Sequence, residues 1–469
     1  MHTRLLHIYH HLPAWLQSWV ARRHGARLMR LRYGEIFRRE LPGYAERERY
    51  TSAQWQTWQS ERLQSLLKRA VAQVPYYRRL HTSGAFPIEG IDGSNALERL
   101  PILDKEAVRA APLDFLADDC DPREMYAEAT SGTTGAPLSL YWSAATHQSW
   151  YACFERRVRN WAGVQLGERW ATLGGQLIAP INRQRPPFWV WNAPAAQLYM
   201  SSYHLRPDFL DAYLDELVHR RIVYLFGYAS ALDALATHAI ERGRRDVQVK
   251  VAISNAEPFY RHQRERIEQA FNCQTRDMYA PAELTVAAFE CERGRMHLSP
   301  DVGITEVVDD EGRALPPGDI GELVVTSLLN TDQILVRYRQ GDRGALAEPG
   351  DLCECGRTLP VLACIEGRVD DLIITPDGRK VGRLDPVFKA ALRIREAQIV
   401  QDRLDRVTVR IVPAAGYGEQ DELAVRRGLE DRLGAMQIEI QVVDQIERTK
   451  NGKFRAVVSQ LADQVGAVA

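Results

Sequence analysis

The chain has 469 residues, 45% of them hydrophobic and 26% charged, with 60 basic against 61 acidic residues and a formal net charge of −1. That length allows a large core and about two domains, while the even charge excludes the basic surface of an ordinary nucleic-acid-binding protein. Seven scattered cysteines do not make a secreted disulfide framework. No apolar run reaches the roughly 18–20 residues of a membrane span, and the first residues lack a signal-peptide core, so a cytoplasmic protein is expected.

The first 39 residues depart from this balance, with eight arginines against one acid, Glu35. Trp15 and Trp19 share one helical face just after Pro13. Two readings stand: a surface helix that meets a membrane or a partner, or a helix whose tryptophans dock on the body. A second helical pattern runs from about Ala53 to Val74 and stops at the Pro75-Tyr-Tyr77 turn.

From about Ala127 the pattern is mixed α/β. Val223–Tyr228, Val251–Ser254 and Gln274–Tyr279 read as strands, with helices over Ser230–Arg242 and Pro258–Phe271 between them. Gly303–Tyr338 is strand-rich around a Pro316-Pro-Gly-Asp319 turn. The last hundred residues alternate anew: strand Arg406–Val412, helix Glu422–Leu433, strand Ile438–Val443. No internal repeat or low-complexity tract interrupts the chain.

Thr130, Ser131, Gly132, Thr133, Thr134 and Gly135, followed by Ala136 and Pro137, form the densest chemical signal. Glycines let a backbone turn tightly and present N–H groups to an anion, and hydroxyls add donors. A Walker A ending and a Gly-x-Gly-x-x-Gly fingerprint are both missing. Alone, the segment reads equally well as a hairpin turn. Further along stand Ser254-Asn-Ala256-Glu257-Pro258, Tyr279-Ala-Pro-Ala-Glu283, Tyr338-Arg-Gln-Gly-Asp342, Gly367-Arg368-Val-Asp370 and Glu447-Arg-Thr-Lys450-Asn-Gly-Lys453.

In this order the motifs resemble those of the adenylate-forming ligase superfamily. The resemblance is to its phenylacetate–CoA-ligase-like branch and, within that, to ligase-like proteins associated with capsular polysaccharide biosynthesis. It begins at Arg32-Tyr-Gly34 and Val74-Pro-Tyr-Tyr77 and covers nearly the whole chain. It implies ATP and AMP binding, with the 130–135 loop on phosphates and Ala256, Glu257 and Pro258 beside adenine. Tyr279 would stack on the base, and Asp342 and Arg368 would hold the ribose. Glu283 would hold magnesium, a hard ion suited to a carboxylate, and Asp370 would be the pivot.

The fold expected from the resemblance is α/β. A large multi-subdomain N-terminal domain, residues 1–369, has β-sheets flanked by helices and a helical basic leader over 1–80. A small mobile α+β domain, residues 370–469, carries Lys453. Its partners would be a small-molecule carboxylate and ATP, then an acceptor that is CoA by family default or else an amine or hydroxyl. A homodimer is also among the expectations.

Only seven of the 60 basic residues are lysines. Asn451-Gly452 makes a tight turn that would project Lys453 outward. Attack of a carboxylate on ATP brings two anions together, and a compact ammonium on a flexible stem can neutralise both. The resemblance implies that role for Lys453, ahead of Lys450.

Cys291 and His297, with Cys353 and Cys355, supply three sulfurs and one imidazole, a complete tetrahedral zinc set with no open position, hence structural. Ordinary buried thiols are the alternative. The chain departs from the family at Ala136, where many relatives carry Lys, and at Ala280 and Ala282 in the magnesium motif. Thr375–Gly382 also differs from the loop that relatives lay along CoA. Tyr203, His204, Phe188, Trp189, Trp191 and Tyr228 are candidate walls of the carboxylate pocket, or core. A non-catalytic assembly protein is the competing reading.

Overall fold

Strand–helix alternation in the middle of the chain builds the sheet whose strand ends carry Glu257, Tyr279 and Glu283. The computed structural model describes residues 9, 14–91, 93–129, 138–176, 178–180, 183–368, 373–376, 380–381, 384, 387, 393–434, 436–449 and 454–461. Strands β1 (Tyr126–Ala129) and β2 (Ser139–Trp142) pair antiparallel on either side of the 130–137 segment. Strands β3 (Trp170–Gly174), β4 (Trp189–Asn192), β5 (Gln197–Ser201), β6 (Tyr224–Gly227), β7 (Val251–Asn255), β8 (Gln274–Tyr279), β9 (Ala288–Glu290) and β10 (Met296–Leu298) form one eight-stranded sheet. Its order is β10-β9-β8-β7-β6-β3-β5-β4.

The middle strands β5, β3, β6, β7 and β8 are parallel; at the edges β4 pairs antiparallel with β5, β9 with β8 and β10 with β9. Parallel neighbours need crossovers, supplied by helices Pro207–His219, Ala229–Glu241 and Arg261–Phe271. Alternate strand residues face opposite cores. Ala171, Leu173, Leu225 and Ala252 pack with Leu214, Leu232, Leu235 and Ile267. Tyr224, Val251 and Ile253 join the larger cluster that includes Trp142, Phe154 and Tyr338.

A four-stranded antiparallel sheet follows, made of β11 (Gly303–Val308), β12 (Gly321–Ser327), β13 (Tyr338–Leu346) and β14 (Leu362–Arg368). Strands β15 (Ile373–Ile374) and β16 (Lys380–Val381) pair with each other. The last sheet holds β17 (Ile394–Arg403), β18 (Arg406–Pro413), β19 (Gln437–Val442) and β20 (Val457–Ser459), in the order β19-β18-β17-β20. Val425, Leu429 and Leu433 of helix Glu419–Leu433 pack on Ile399, Val407, Val409 and Ile411, a third core of its own.

Sequence and structure differ at several ends. The helix expected from Pro258 begins at Arg261, because the Gln263 side chain accepts from the Tyr260 N–H at 3.1 Å and caps it there. The helix expected from Glu422 begins at Glu419, directly after Gly418. The helix expected from Ala53 is Ser52–Gln73, capped by a reciprocal Thr51–Gln54 pair.

The leader does dock, but Trp19 is not what docks it. Trp19 is 54% exposed, with the Arg23 guanidinium over its ring; the Trp15 side chain lies outside the described residues. Contact is made where Gly25 meets Asn192, so closely that a Cβ there would lie 1.8 Å from the amide oxygen. Tyr33 and Arg159 are joined by a 3.0 Å hydrogen bond, and Glu48 accepts from Arg156 and from Trp161 Nε1 at 2.8 Å each. Among the described residues no helix is long and apolar enough to cross a membrane.

Candidate adenylate site and cysteine–histidine centre

At the end of β8 the chain turns into Tyr279-Ala-Pro-Ala-Glu283, and Leu284 takes a left-handed conformation, φ 53°. The turn carries Glu283 inward, where it is 3% exposed. One of its oxygens accepts from Lys105 Nζ at 3.0 Å and from the Tyr338 hydroxyl at 3.2 Å. A buried carboxylate needs such partners, since an unpaired charge is strongly disfavoured away from water. Lys105 opens a short helix, Lys105–Ala110, 178 positions away in sequence.

Tyr279 and Asp342, from separate sheets, also meet: the Tyr279 hydroxyl donates to Asp342 Oδ2 at 2.7 Å. The β13–β14 register sets Asp342 directly opposite Arg368. Three residues read from sequence motifs thus converge on one end of the β8 turn.

Glu257 lies on the neighbouring strand end. The Ser230 N–H and hydroxyl donate to its two oxygens at 2.9 and 3.1 Å. The N–H of Phe454, from the C-terminal segment, donates to Glu257 Oε1 at 2.7 Å. Burial pushes the Glu257 carboxyl above the usual carboxylate range, and these donors pull it back. Ala256 before it holds φ 62°, a left-handed conformation that costs a non-glycine residue about 1–2 kcal/mol. Asp277 on β8 is pushed up to about 7, first by burial and then by Glu290, against the pull of Arg264.

Thr130, Ser131, Gly132, Thr133, Thr134, Gly135, Asp370, Lys450 and Lys453 lie outside the described residues, as does the Arg368 side chain. The expected pocket walls are mostly core. Phe188 is fully buried and stacks on His204 at 4.6 Å, while Trp189 packs edge-on against Tyr213. His204 is itself held by Ser201 at 2.8 Å and by the Pro180 carbonyl at 3.0 Å. Tyr228 is buried in the same cluster.

The four cysteine and histidine residues come together. The candidate ligand atoms of Cys291, His297, Cys353 and Cys355 all lie within 4.8 Å of one another. Cys291 and Cys353 sulfurs are 3.7 Å apart, and Cys355 Sγ is 3.4 Å from His297 Nε2. His297 Nδ1 meets the Leu359 carbonyl at 3.1 Å, which turns Nε2 toward the thiols. Gly356, at φ 77°, makes the tight turn that brings Cys353 and Cys355 to one side. Three thiols and one imidazole at these separations fit a closed tetrahedral zinc set.

Residues 58–331 match the AMP-binding enzyme family, and residues 373–460 match the CapK C-terminal domain. Among curated relatives, Protein CapK of Staphylococcus aureus is 24% identical over 466 residues, covering 97% of this chain and 100% of that one. A phenylacetate-coenzyme A ligase of Thermus thermophilus is 27% identical over 344 residues, covering 67% of this chain and 71% of the relative. Among solved structures, 2-hydroxyisobutyryl-CoA ligase in its postadenylation state, in complex with R3-HIB-AMP, superposes with a TM-score of 0.73 at 22% identity, covering 90% of this chain and 94% of that one.

Proposed function

The chain belongs to the AMP-binding enzyme family, in its phenylacetate–CoA-ligase-like branch near CapK, and from that premise we propose that it is an ATP-dependent carboxylate ligase. A carboxylate oxygen attacks the α-phosphorus of ATP, the bond to the bridging oxygen breaks, and pyrophosphate leaves as acyl-AMP forms. An acceptor then attacks the acyl carbon, and AMP departs carrying one oxygen from the acid. CoA is the acceptor named for several relatives; an amine or hydroxyl acceptor is the other reading, favoured by the altered Thr375–Gly382 segment.

The observation that carries this reading is the meeting of Tyr279 and Asp342 from two sheets, with Glu283 four residues beyond Tyr279 and bonded to Tyr338 of the Asp342 strand. Tyr279 would face adenine, its hydroxyl holding Asp342 ready to accept from the ribose. Glu257, Ala256 and Pro258 would line the far side of the base. The boundary we propose lies near residue 369, so that Lys453 arrives with the C-terminal domain. The hydrogen bond from Phe454, the next residue, to Glu257 supports such an arrival.

Glu283 would hold magnesium, which when bound would neutralise phosphate charge. Its oxygens fit a hard ion, and Lys105 and Tyr338 hold the carboxylate in place meanwhile. Cys291, His297, Cys353 and Cys355 would hold a structural zinc that ties β9–β10 to the segment before β14.

The test is exchange of labelled pyrophosphate into ATP across a panel of aryl and acyl carboxylates. Acid-dependent exchange supports the ligase. A competing reading, a non-catalytic adenylate-binding protein, draws on Ala280 and Ala282 in the magnesium motif. It gains if AMP binds tightly while no acid supports exchange.

A further inference from the structure

The leader helix Ala14–Arg32 has two faces of opposite character. At about 100° per residue, Gln17, Gly25 and Arg32 fall on one side. That side meets the body: Gln17 is buried, Gly25 abuts Asn192, and the Arg32 guanidinium lies 4.5 Å over the Tyr151 ring. Trp19, Arg22, Arg23, Arg27 and Arg30 fall on the other side, within about 140° of the circumference, and all five are exposed.

No acidic residue lies anywhere on this helix. The elements it packs against, helix Ala144–Phe154, β4 and the turn Ala193–Ala195, contain none either. Among the described residues the four exposed arginines form no ion pair and no side-chain hydrogen bond; Arg23 lies 5.2 Å over the Trp19 ring. The next acids along the chain, Glu35 and Glu40, stand on the following helix, and Glu40 is engaged by Ser149 and Arg39. His24, beside the arginines, is held below its usual range first by burial and then by the positive charges of Arg32 and Arg27.

Charge is segregated along the chain as well. Eight arginines and one acid fill the first 39 residues, so in a chain of net charge −1 the remainder is net acidic. An anionic surface therefore attracts the leader and repels the rest, which sets an orientation.

Four guanidinium groups alone would suit any polyanion, and Trp19 narrows the choice. An exposed indole among guanidinium groups is suited to the headgroup level of a bilayer, which accommodates both its apolar ring and its N–H. From Trp19 to Arg30 the stripe runs straight for about 16 Å, a shape that fits a flat surface. A second copy of the chain is disfavoured there, since like faces repel. With one aromatic ring on this face, insertion is shallow and the attraction is mainly electrostatic.

We propose that this face of the leader helix docks the protein reversibly on an anionic lipid surface, with the helix lying in the plane of the headgroups. The leader then has two tasks on two faces, one toward the body and one toward the bilayer. Neither depends on the ligase reading.

The test is co-sedimentation of the full chain with vesicles of phosphatidylcholine and phosphatidylglycerol in equal parts, against phosphatidylcholine alone. Binding to the mixed vesicles is expected to be about tenfold tighter or more, and to fade as added salt screens the charges. Arg23→Glu with Arg27→Glu should weaken it by about tenfold or more while the melting temperature stays unchanged. The same charge change at two exposed residues elsewhere, Lys68→Glu with Arg427→Glu, should weaken it by less than about threefold. Trp19→Ala should weaken it by a factor that stays the same as salt is varied, because the indole carries no charge. Arg23→Gln with Arg27→Gln, a milder pair, serves if the reversed pair does not fold. Equal binding to both kinds of vesicle, or equal loss in the leader pair and the control pair, overturns the proposal. Tighter binding to a DNA duplex than to the mixed vesicles, lost in the leader pair, would assign the face to nucleic acid and overturn it too.

Discussion

The ammonium of Lys105 lies 3.0 Å from a carboxylate oxygen of Glu283, which is itself 3% exposed. Glu283 is the residue assigned above to magnesium, so the ammonium occupies the charge position that a bound cation would take over. If Glu283 holds magnesium as proposed, a bound cation would free the Lys105 ammonium from this pair, in a chain that has Ala136 where the family resemblance leads one to expect a lysine.

Lys105→Met should therefore cost about 1–3 kcal/mol of stability without nucleotide, less than a fully buried broken pair because Lys105 is partly exposed. Magnesium with ATP should restore much of that loss, giving a larger thermal shift than in the wild type. Glu283→Gln should be better tolerated by the fold and lose the magnesium-dependent shift. Equal shifts in all three proteins would separate Glu283 from the metal.

Tyr279→Phe removes one hydroxyl, the donor to Asp342 at 2.7 Å. A hydrogen bond to a charged group contributes roughly 1.5–3 kcal/mol, so ATP affinity should fall about tenfold or more while the fold is kept. Titration calorimetry with ATP and with AMP checks this. The loss should be similar for both if, as proposed, the pair serves the nucleoside rather than the phosphates.

The cysteine–histidine centre should carry one zinc per chain by elemental analysis. Cys353→Ser should release it and lower the melting temperature, because closed sites convert metal binding into folding energy. Pyrophosphate exchange per folded molecule should persist in this variant at a temperature where it is still folded. Less than about half an equivalent in wild-type protein would remove the zinc assignment.

Asp277 gives a pH dependence of known sign. Its carboxyl is held up at about 7 in the folded chain against 3.8 ordinarily. Between those values the folded state holds a proton that the unfolded state has lost, so stability falls as pH rises from about 4 to 7 and then levels off. Asp277→Asn should be more stable than wild type at pH 8 and equal to it near pH 4. Denaturant unfolding at the two pH values reads the difference.

Much of this site could be read from the chain because its residues sit in short local motifs. Tyr279 and Glu283 are four apart on one turn, and Cys353 and Cys355 share another. The parallel strands β6 to β8 showed as apolar runs between helical patterns for the same local reason. Lys105 was missed because nothing within its own helix marks it; its meaning comes from Glu283, far off in sequence. Phe188, Trp189 and His204 stood open between pocket wall and core; Phe188 and His204 are buried and stacked on each other, and Trp189 packs partly buried beside them. The docking of the leader through Gly25 and Asn192 is a contact between surfaces, which periodicity cannot show.

The central claim is that a carboxylate oxygen is joined to the α-phosphorus of ATP. Carboxylates labelled with 18O test it most directly, by mass spectrometry of the nucleotide released with an acceptor such as CoA or hydroxylamine. The account expects AMP carrying one 18O for at least one acid, with Lys453→Ala slowing its appearance by about a hundredfold or more. Unlabelled AMP, release of ADP instead, or no acid-dependent product across the panel would contradict it.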